Sequence, residues 1–544
     1  MNRATIQGLA LAIISLQATQ ALVAQEVAPQ PTSEAANTAA PATVTRVTSS
    51  AVAPQAQQRQ RKRRTTRGRR TQPMRVAPVY PYTSPTSLPA LSSDISGMLH
   101  GRIRSGEWGV VIVSLSRGDT LYSHNADLSL SPASTMKLFT TALALERLGA
   151  DHQFSTDVLR DGPLDSAGTV NGNLIMRGDG DPSLSNRFIG GDVNAPMQLL
   201  ARFVAGQGVK RVTGDLIADA TAFDNRLIPE GWLSRYITAA YAARVSALSL
   251  NENLVWIAVH PGVDGGSPTV TLEPATTTIP IVNAVRSVNG SRTGNIAVRK
   301  LANGVLEVRG HIGTKAPPRR VSLIVDNPPL FTAGALRAAL MSQGIIIDGE
   351  VRVGSTPVGA VRVTSIVSPP LERLLSVMNR ESINIYAELI YRSAARGRNR
   401  EGVGSAERAF VQLREVLDSA RIPGSIVTAT DGSGLSSLNR ITPRALVHLL
   451  AYSNQAPWAS TFHGTLPVAG ESELLRNRMR LTPAQGNLHA KTGTTNSVAS
   501  LGGYVTARDG EVLAFAFVYN GADRWNAKMT MDQMGATLAA FVRE

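Results

Sequence analysis

Apolar positions at the two ends of this 544-residue chain follow one rhythm, and that rhythm predicts a shared sheet. Residues 88 to 105 carry apolar side chains at helical spacing. The stretch 108 to 115 alternates as a strand, Ser116-Arg117-Gly118-Asp119 turns the chain, and 120 to 124 returns as its hairpin partner. An apolar run from Pro132 to Gly149 predicts a helix, with Ser131 as N-cap, Pro132 at the first helical position and Ser134 in the first turn. Near the far end, 488 to 491, 500 to 505 and 511 to 519 read as strands, and 526 to 543 reads as a closing helix. Two antiparallel hairpins flanked by helices, drawn from opposite ends, would complete one sheet. The middle is then an insertion.

That middle, 151 to 368, is rich in short strands and turn signals such as Asn171-Gly172-Asn173, Asn289-Gly290 and Asn303-Gly304. Between 258 and 322 short Val/Thr/Ile strands dominate and predict a separate small β unit. Asp179 and Asp181, in Gly178-Asp179-Gly180-Asp181-Pro182, invite a metal-site reading, but the loop lacks the ligand count of a calcium loop and reads as an Asx-type turn. From Pro369 the pattern becomes helical, over 371 to 378 and 383 to 395. Between these helices the polar stretch 379–384 forms a knuckle able to present side chains into a cleft.

Composition changes the picture at the N-terminus. Arg3, the apolar run 9–16 and small residues near Ala21 and Ala24 predict a secretory signal over 1–24, with an uncleaved anchor as the alternative. Residues 25–87 are rich in Ala, Pro, Thr, Ser and Gln without apolar periodicity, and read as a disordered linker. The net charge of +15 is concentrated there: residues 1–93 carry eleven Lys+Arg against two acids. The basic run from Arg59 to Arg70 would attract any polyanionic surface but contains nothing that reads bases, so no specific nucleic acid is expected. With no cysteine, disulfides and thiolate chemistry are excluded. The eight histidines have no ligand-type spacing, and no metal is expected.

Candidate chemistry begins with Ser134-Thr135-Met136-Lys137. Residues three apart share a helical face, so the Lys137 ammonium can reach the Ser134 hydroxyl, a nucleophile beside a base. A Ser-x-x-Lys arises by chance on the order of once in a few hundred residues, so it needs partners. Ser382-Ile383-Asn384 and Lys491-Thr492-Gly493 follow, in the order and types of the motif set of penicillin-binding proteins and class A β-lactamases. In that match Ser134 attacks a carbonyl and neutral Lys137 takes its proton. Ser382 relays a proton to the leaving amine, and Asn384 holds a substrate amide and fixes Lys137. Lys491, with Thr492, docks a terminal carboxylate, and Gly493 lets a substrate backbone lie against the strand. The N–H groups of Ser134 and Thr494 are the candidate oxyanion hole.

At these residues the chain closely resembles the D-alanyl-D-alanine carboxypeptidase/endopeptidase family, the class C low-molecular-mass penicillin-binding proteins. The resemblance runs from about Leu88 to the C-terminus and includes Gly178 to Leu184, Pro229-Glu230-Gly231-Trp232, Ala247 to Asn253 and Asp431-Gly432-Ser433-Gly434-Leu435-Ser436. The long separation of Ser134 from Ser382 fits this branch rather than class A β-lactamases. The resemblance implies an α/β fold: a transpeptidase/β-lactamase-like domain, an antiparallel sheet flanked by helices, over 88–150 and 369–544. Two inserted, largely β domains are implied at 151–257 with 323–368 and at 258–322. It implies hydrolysis of the terminal D-Ala-D-Ala bond of peptidoglycan stem peptides in the periplasm, with cleavage of cross-links in some members. It also implies covalent inhibition by β-lactams and no cofactor.

The alternatives are a β-lactamase-like hydrolase, for which no deacylating glutamate can be assigned, and a noncatalytic peptidoglycan-binding protein. Two departures stand out. Ile383 replaces the family's usual Asp, and Leu233-Ser234-Arg235-Tyr236 with Tyr241-Ala242-Ala243-Arg244 replaces an acid and a Tyr-x-Ala-Pro, which leaves the stem-peptide preference open.

Overall fold

The computed structural model describes residues 81–544 except Arg104 and 263–265. The expected signal segment and most of the linker, including the basic run, lie outside the described residues. Residues 83–86 already pack on the closing segment: Thr83 N–H donates to Thr537 Oγ1, and Val542 N–H to the Pro85 carbonyl. Ser87 then caps the helix Leu88–Gly101 by accepting from Ala90 N–H.

The two ends of the chain do build one five-stranded antiparallel sheet. Its order is His489–Thr494, Val498–Thr506, Val512–Asn520, Glu107–Ser114 and Thr120–His124. The N-terminal strand joins the C-terminal one over eight paired positions, from Glu107 opposite Asn520 to Ser114 opposite Leu513. Side-chain alternation sorts the two faces. Phe515 and Phe517 point with Val110 and Ile112 toward the helices Leu88–Gly101 and Arg524–Ala540. Ala514 and Ala516 point to the other face, where small side chains let the helices there sit close. The helix Met136–Arg147 lies in that second core, buried from Met136 through Leu145, with the polar Lys137, Thr140 and Thr141 among its buried side chains.

The inserted region leaves and returns through paired backbone. Leu371 N–H donates to the His152 carbonyl, and Ser368 N–H to that of Phe154. Beyond this crossing, a five-stranded mixed sheet of Val351–Val353, Leu216–Asp219, Leu174–Gly178, Ser155–Arg160 and Val361–Val367 packs against the helices Ala195–Gly206 and Pro328–Ser342. The turn-dominated sequence pattern did not reveal these two helices. Two three-stranded sheets enclose a smaller core around Ile257, Val259, Val308 and Ile312. Their strands Leu254–His260 and Arg319–Ile324 straddle the expected divisions at 257/258 and 322/323, so the small unit starts within a sheet rather than in a linker.

Candidate active site

Ser134 does not sit in the first turn of a helix capped by Ser131. It lies in a 3₁₀ turn, Ala133–Thr135, that precedes the helix Met136–Arg147. Ala133 has a φ of 47°, a conformation that a Cβ disfavours. Tertiary contacts impose it. The Asn520 side chain clamps Ser131 by accepting from its N–H at 2.9 Å and donating to its carbonyl at 3.1 Å. The Pro132 carbonyl accepts from both Thr135 Oγ1 and Ser500 Oγ at 2.7 Å. Gly434, at φ 82°, closes from the other side, where an added Cβ would stand 1.9 Å from the Ala133 carbonyl oxygen. The nucleophile turn is thus pinned between the sheet and a distant loop.

Lys137 follows one turn on, with no solvent exposure. Its Nζ donates to Ser134 Oγ at 3.0 Å, Asn384 Oδ1 at 2.7 Å and the Ser433 carbonyl at 2.7 Å. Burial pulls its pKa down to about 7, against the opposing attraction of Asp431 and Glu388. At neutral pH a substantial fraction of this amine is therefore free to accept a proton from Ser134.

The loop that carries Ser433 lies in the stretch Asp431–Ser436 that contributed to the resemblance, with no site role expected of it. Asp431, fully buried, accepts from the N–H groups of Gly434 and Ser436, the Asn439 amide, the Ser433 hydroxyl and the Trp232 indole. The Gly434 N–H and Ser433 C=O belong to one peptide unit, so the carboxylate polarises the carbonyl that holds Lys137. Glu388, four residues after Asn384 on the helix Asn384–Ala394, accepts from Ser433 N–H at 2.9 Å. Burial, with Asp431 beside it, raises the Glu388 carboxyl to about 8, so it is mostly protonated at neutral pH. It has no opening to solvent.

Ser382 ends the helix Leu371–Glu381 in a left-handed conformation, φ 59°, which turns its hydroxyl to Lys491 Nζ at 2.9 Å. Asn384 begins the next helix and bridges two segments, since its Nδ2 donates to the Tyr241 carbonyl at 2.9 Å. Ile383 between them packs on the core, which is why this departure leaves the polar array intact. Lys491 and Thr492 lie on the edge strand His489–Thr494, and Lys491 also donates to the Thr492 carbonyl at 2.8 Å. Burial and the Lys137 charge push the Lys491 ammonium well below its ordinary range. Among the described residues no carboxylate pairs with it, so a ligand carboxylate is what would hold it charged.

Gly493 also has a packing role. A Cβ there would meet Ser500 Oγ at 2.1 Å, the Pro132 carbonyl at 2.7 Å and Ser134 N at 3.0 Å, so the missing side chain makes room for the nucleophile turn. The same contact brings the strand bearing Thr494 against the Ser134 amide. Ser134, Ser382, Asn384 and Thr494 face a cleft of about 340 Å³, also lined by Tyr241 and Arg524. Arg524 carries no motif signature, whereas Tyr236 and Tyr241 fall in the segment that departs from the family pattern and Leu435 in the stretch 431–436; none of the four was expected as a site residue. Asp179 and Asp181 lie elsewhere: Asp179 pairs with Arg396 and Arg400, and Asp181 accepts from the Ser183 N–H and hydroxyl.

Residues 92–541 match the model of the D-Ala-D-Ala carboxypeptidase 3 (S13) family. The chain is 34% identical over 481 residues to a D-alanyl-D-alanine carboxypeptidase of Actinomadura sp. (strain R39), covering 86% of this chain and 87% of that protein. It is 25% identical over 440 residues to D-alanyl-D-alanine carboxypeptidase DacB of Haemophilus influenzae, covering 80% and 90%. The fold resembles the crystal structure of penicillin binding protein 4 (dacB) from Haemophilus influenzae, with a TM-score of 0.69 at 24% identity over 82% of this chain and 98% of that one. A further structure of that protein, complexed with a β-lactam, matches with a TM-score of 0.63 at 23% identity over 81% and 97%.

Proposed function

This chain belongs to the D-Ala-D-Ala carboxypeptidase 3 (S13) family, and from that premise we propose that Ser134 is the nucleophile of a serine carboxypeptidase acting on peptidoglycan stem peptides. The chain is a D-alanyl-D-alanine carboxypeptidase, a hydrolase. The observation that carries the residue assignment is Lys137, buried, near neutrality in pKa and 3.0 Å from Ser134 Oγ.

In the proposed reaction the carboxylate of the terminal D-alanine docks on Lys491, restoring its charge, with Thr492 beside it. Neutral Lys137 takes the Ser134 proton as Oγ bonds to the carbonyl carbon of the penultimate residue. The N–H groups of Ser134 and Thr494 receive the developing oxyanion. The C–N bond then breaks, and the departing D-alanine amine receives a proton from Lys137 by way of Ser382. Water attacks the ester in the second half, giving up its proton to the restored base, and releases the shortened peptide and free Ser134. The same acylation would open a D-alanyl cross-link. A β-lactam would acylate Ser134 by ring opening and persist, because Glu388, the carboxyl four residues beyond Asn384, is turned onto Ser433 and shielded from the cleft. Access to such a substrate fits export by residues 1–24, with the run 59–70 as a nonspecific tether to an anionic surface.

Mass spectrometry after incubation with penicillin tests the assignment. A single adduct on the Ser134 peptide is expected, and none in Ser134→Ala. Absence of the adduct in folded wild-type protein would reject the reading.

A further inference from the structure

Besides Lys137 and Lys491, the cleft has a basic side chain that the reaction does not use. Arg524, at the start of the helix Arg524–Ala540, lines the cleft together with Ser134, Thr494, Thr495 and Asn496. Its Nη1 donates to the Thr495 carbonyl at 2.8 Å and to Asn496 Oδ1 at 2.9 Å, and its guanidinium lies 5.3 Å from the Trp525 ring centroid. Those contacts fix the side chain. Among the described residues its Nε and Nη2 make no hydrogen bond, and no carboxylate stands within ion-pair distance of it. Other part-buried arginines meet carboxylates, as Arg187 with Glu381 and Arg396 with Asp179. Arg524 is a preorganised fork with two donor positions left over.

Its place relative to Lys491 gives the unused donors a meaning. The strand His489–Thr494 is a sheet edge, able to accept an extended peptide. A peptide whose C-terminal carboxylate sits at Lys491 and which pairs antiparallel with this strand runs its N-terminal part past Thr494 and Thr495. With the penultimate carbonyl held at the Thr494 N–H, the fourth residue from the ligand's C-terminus lies two residues, about 7 Å, beyond Thr494. That carries it past Thr495 and Asn496, beside Arg524. In a peptidoglycan stem pentapeptide that residue is a glutamate joined through its side chain, which leaves its α-carboxylate free.

We propose that Arg524 is a specificity-determining residue that docks this upstream carboxylate, so that the enzyme grips its substrate by two carboxylates, one at each end of the cleft. This rests on the carboxypeptidase reading above. A fixed guanidinium facing a carboxylate makes charge-assisted hydrogen bonds, whose loss is worth about tenfold or more in kcat/KM.

The test uses the purified full chain and two synthetic pentapeptides ending in D-Ala-D-Ala, identical except that the γ-linked glutamate carries a free α-carboxylate or a carboxamide. D-Alanine release is measured for wild type, Arg524→Gln and Arg524→Lys. Wild type is expected to favour the carboxylate peptide by about tenfold in kcat/KM. Arg524→Gln should bring the two values together, mainly by slowing the carboxylate peptide, and Arg524→Lys should keep part of the preference. No preference in wild type, or an equal loss on both peptides in Arg524→Gln, overturns the assignment while the carboxypeptidase reading stands. No D-alanine release from either peptide, together with no penicillin adduct on Ser134, overturns both.

Discussion

Lys137 and Lys491 reach one cleft with no exposure to solvent, but the two sides of the cleft compensate their charges differently. Lys137, on the helix side, has three oxygen acceptors and lies within the influence of Asp431 and Glu388. Lys491, on the edge-strand side, meets one hydroxyl, one backbone carbonyl and the repulsion of Lys137. The helix side is self-contained, and its lysine sits near neutrality, as a base requires. The edge-strand side lacks a counter-charge of its own, as suits a cation whose partner arrives with the ligand. Two lysines of equal burial thus acquire different chemistry from what surrounds them.

The largest expected effect comes from breaking the self-contained side. Lys137→Met removes the base from a site whose other groups stay in place, and should slow acylation by about 10²–10⁴-fold, read by stopped-flow with a chromogenic β-lactam. Asp431→Ala strips the loop of a carboxylate with five donors, and should lower stability by roughly 3–5 kcal/mol in denaturant unfolding, with acylation falling as well. An unaltered unfolding midpoint would remove Asp431 from the account of how Lys137 is held. On the other side, Lys491→Ala should cut kcat/KM by about 10–100-fold for a peptide with a free C-terminal carboxylate, and by less when that carboxylate is amidated. Equal losses on both peptides would contradict a docking role.

The smallest and sharpest effect concerns Glu388. Where Lys137 titrates, Glu388 is mostly protonated, and glutamine reproduces that neutral side chain. Glu388→Gln should therefore leave the acid limb of acylation in its wild-type place. A limb moved to lower pH would show that Glu388 carries its charge there and helps hold Lys137 protonated.

Much of this architecture was legible because it rests on local patterning. The alternation of Trp108, Val110 and Ile112 against Phe515 and Phe517 sets which face of each strand is buried, and it can be read without knowing the partner. The side chains of Ser134, Lys137, Ser382, Asn384 and Lys491 were likewise visible as spaced polar residues. What escaped notice depends on backbone or on distance. Ser433 acts through its carbonyl, which no side-chain pattern reports. The 3₁₀ turn at Ala133 is imposed by Asn520, Ser500 and Gly434, which lie hundreds of residues away. Tyr241 and Arg524 enter the cleft from segments that meet only in the folded chain. Short helices such as Ala195–Gly206 were hidden by the glycine-rich turns around them.

The central claim is that Ser134 is activated by a buried lysine that is neutral near physiological pH, and the pH dependence of Ser134 acylation by penicillin tests it most directly. Lys137 is a base only after losing its proton, so the rate should be low in acid, rise through pH about 7 and level off above it. A rate that is flat across this range, or that falls as pH rises through it, would contradict the account.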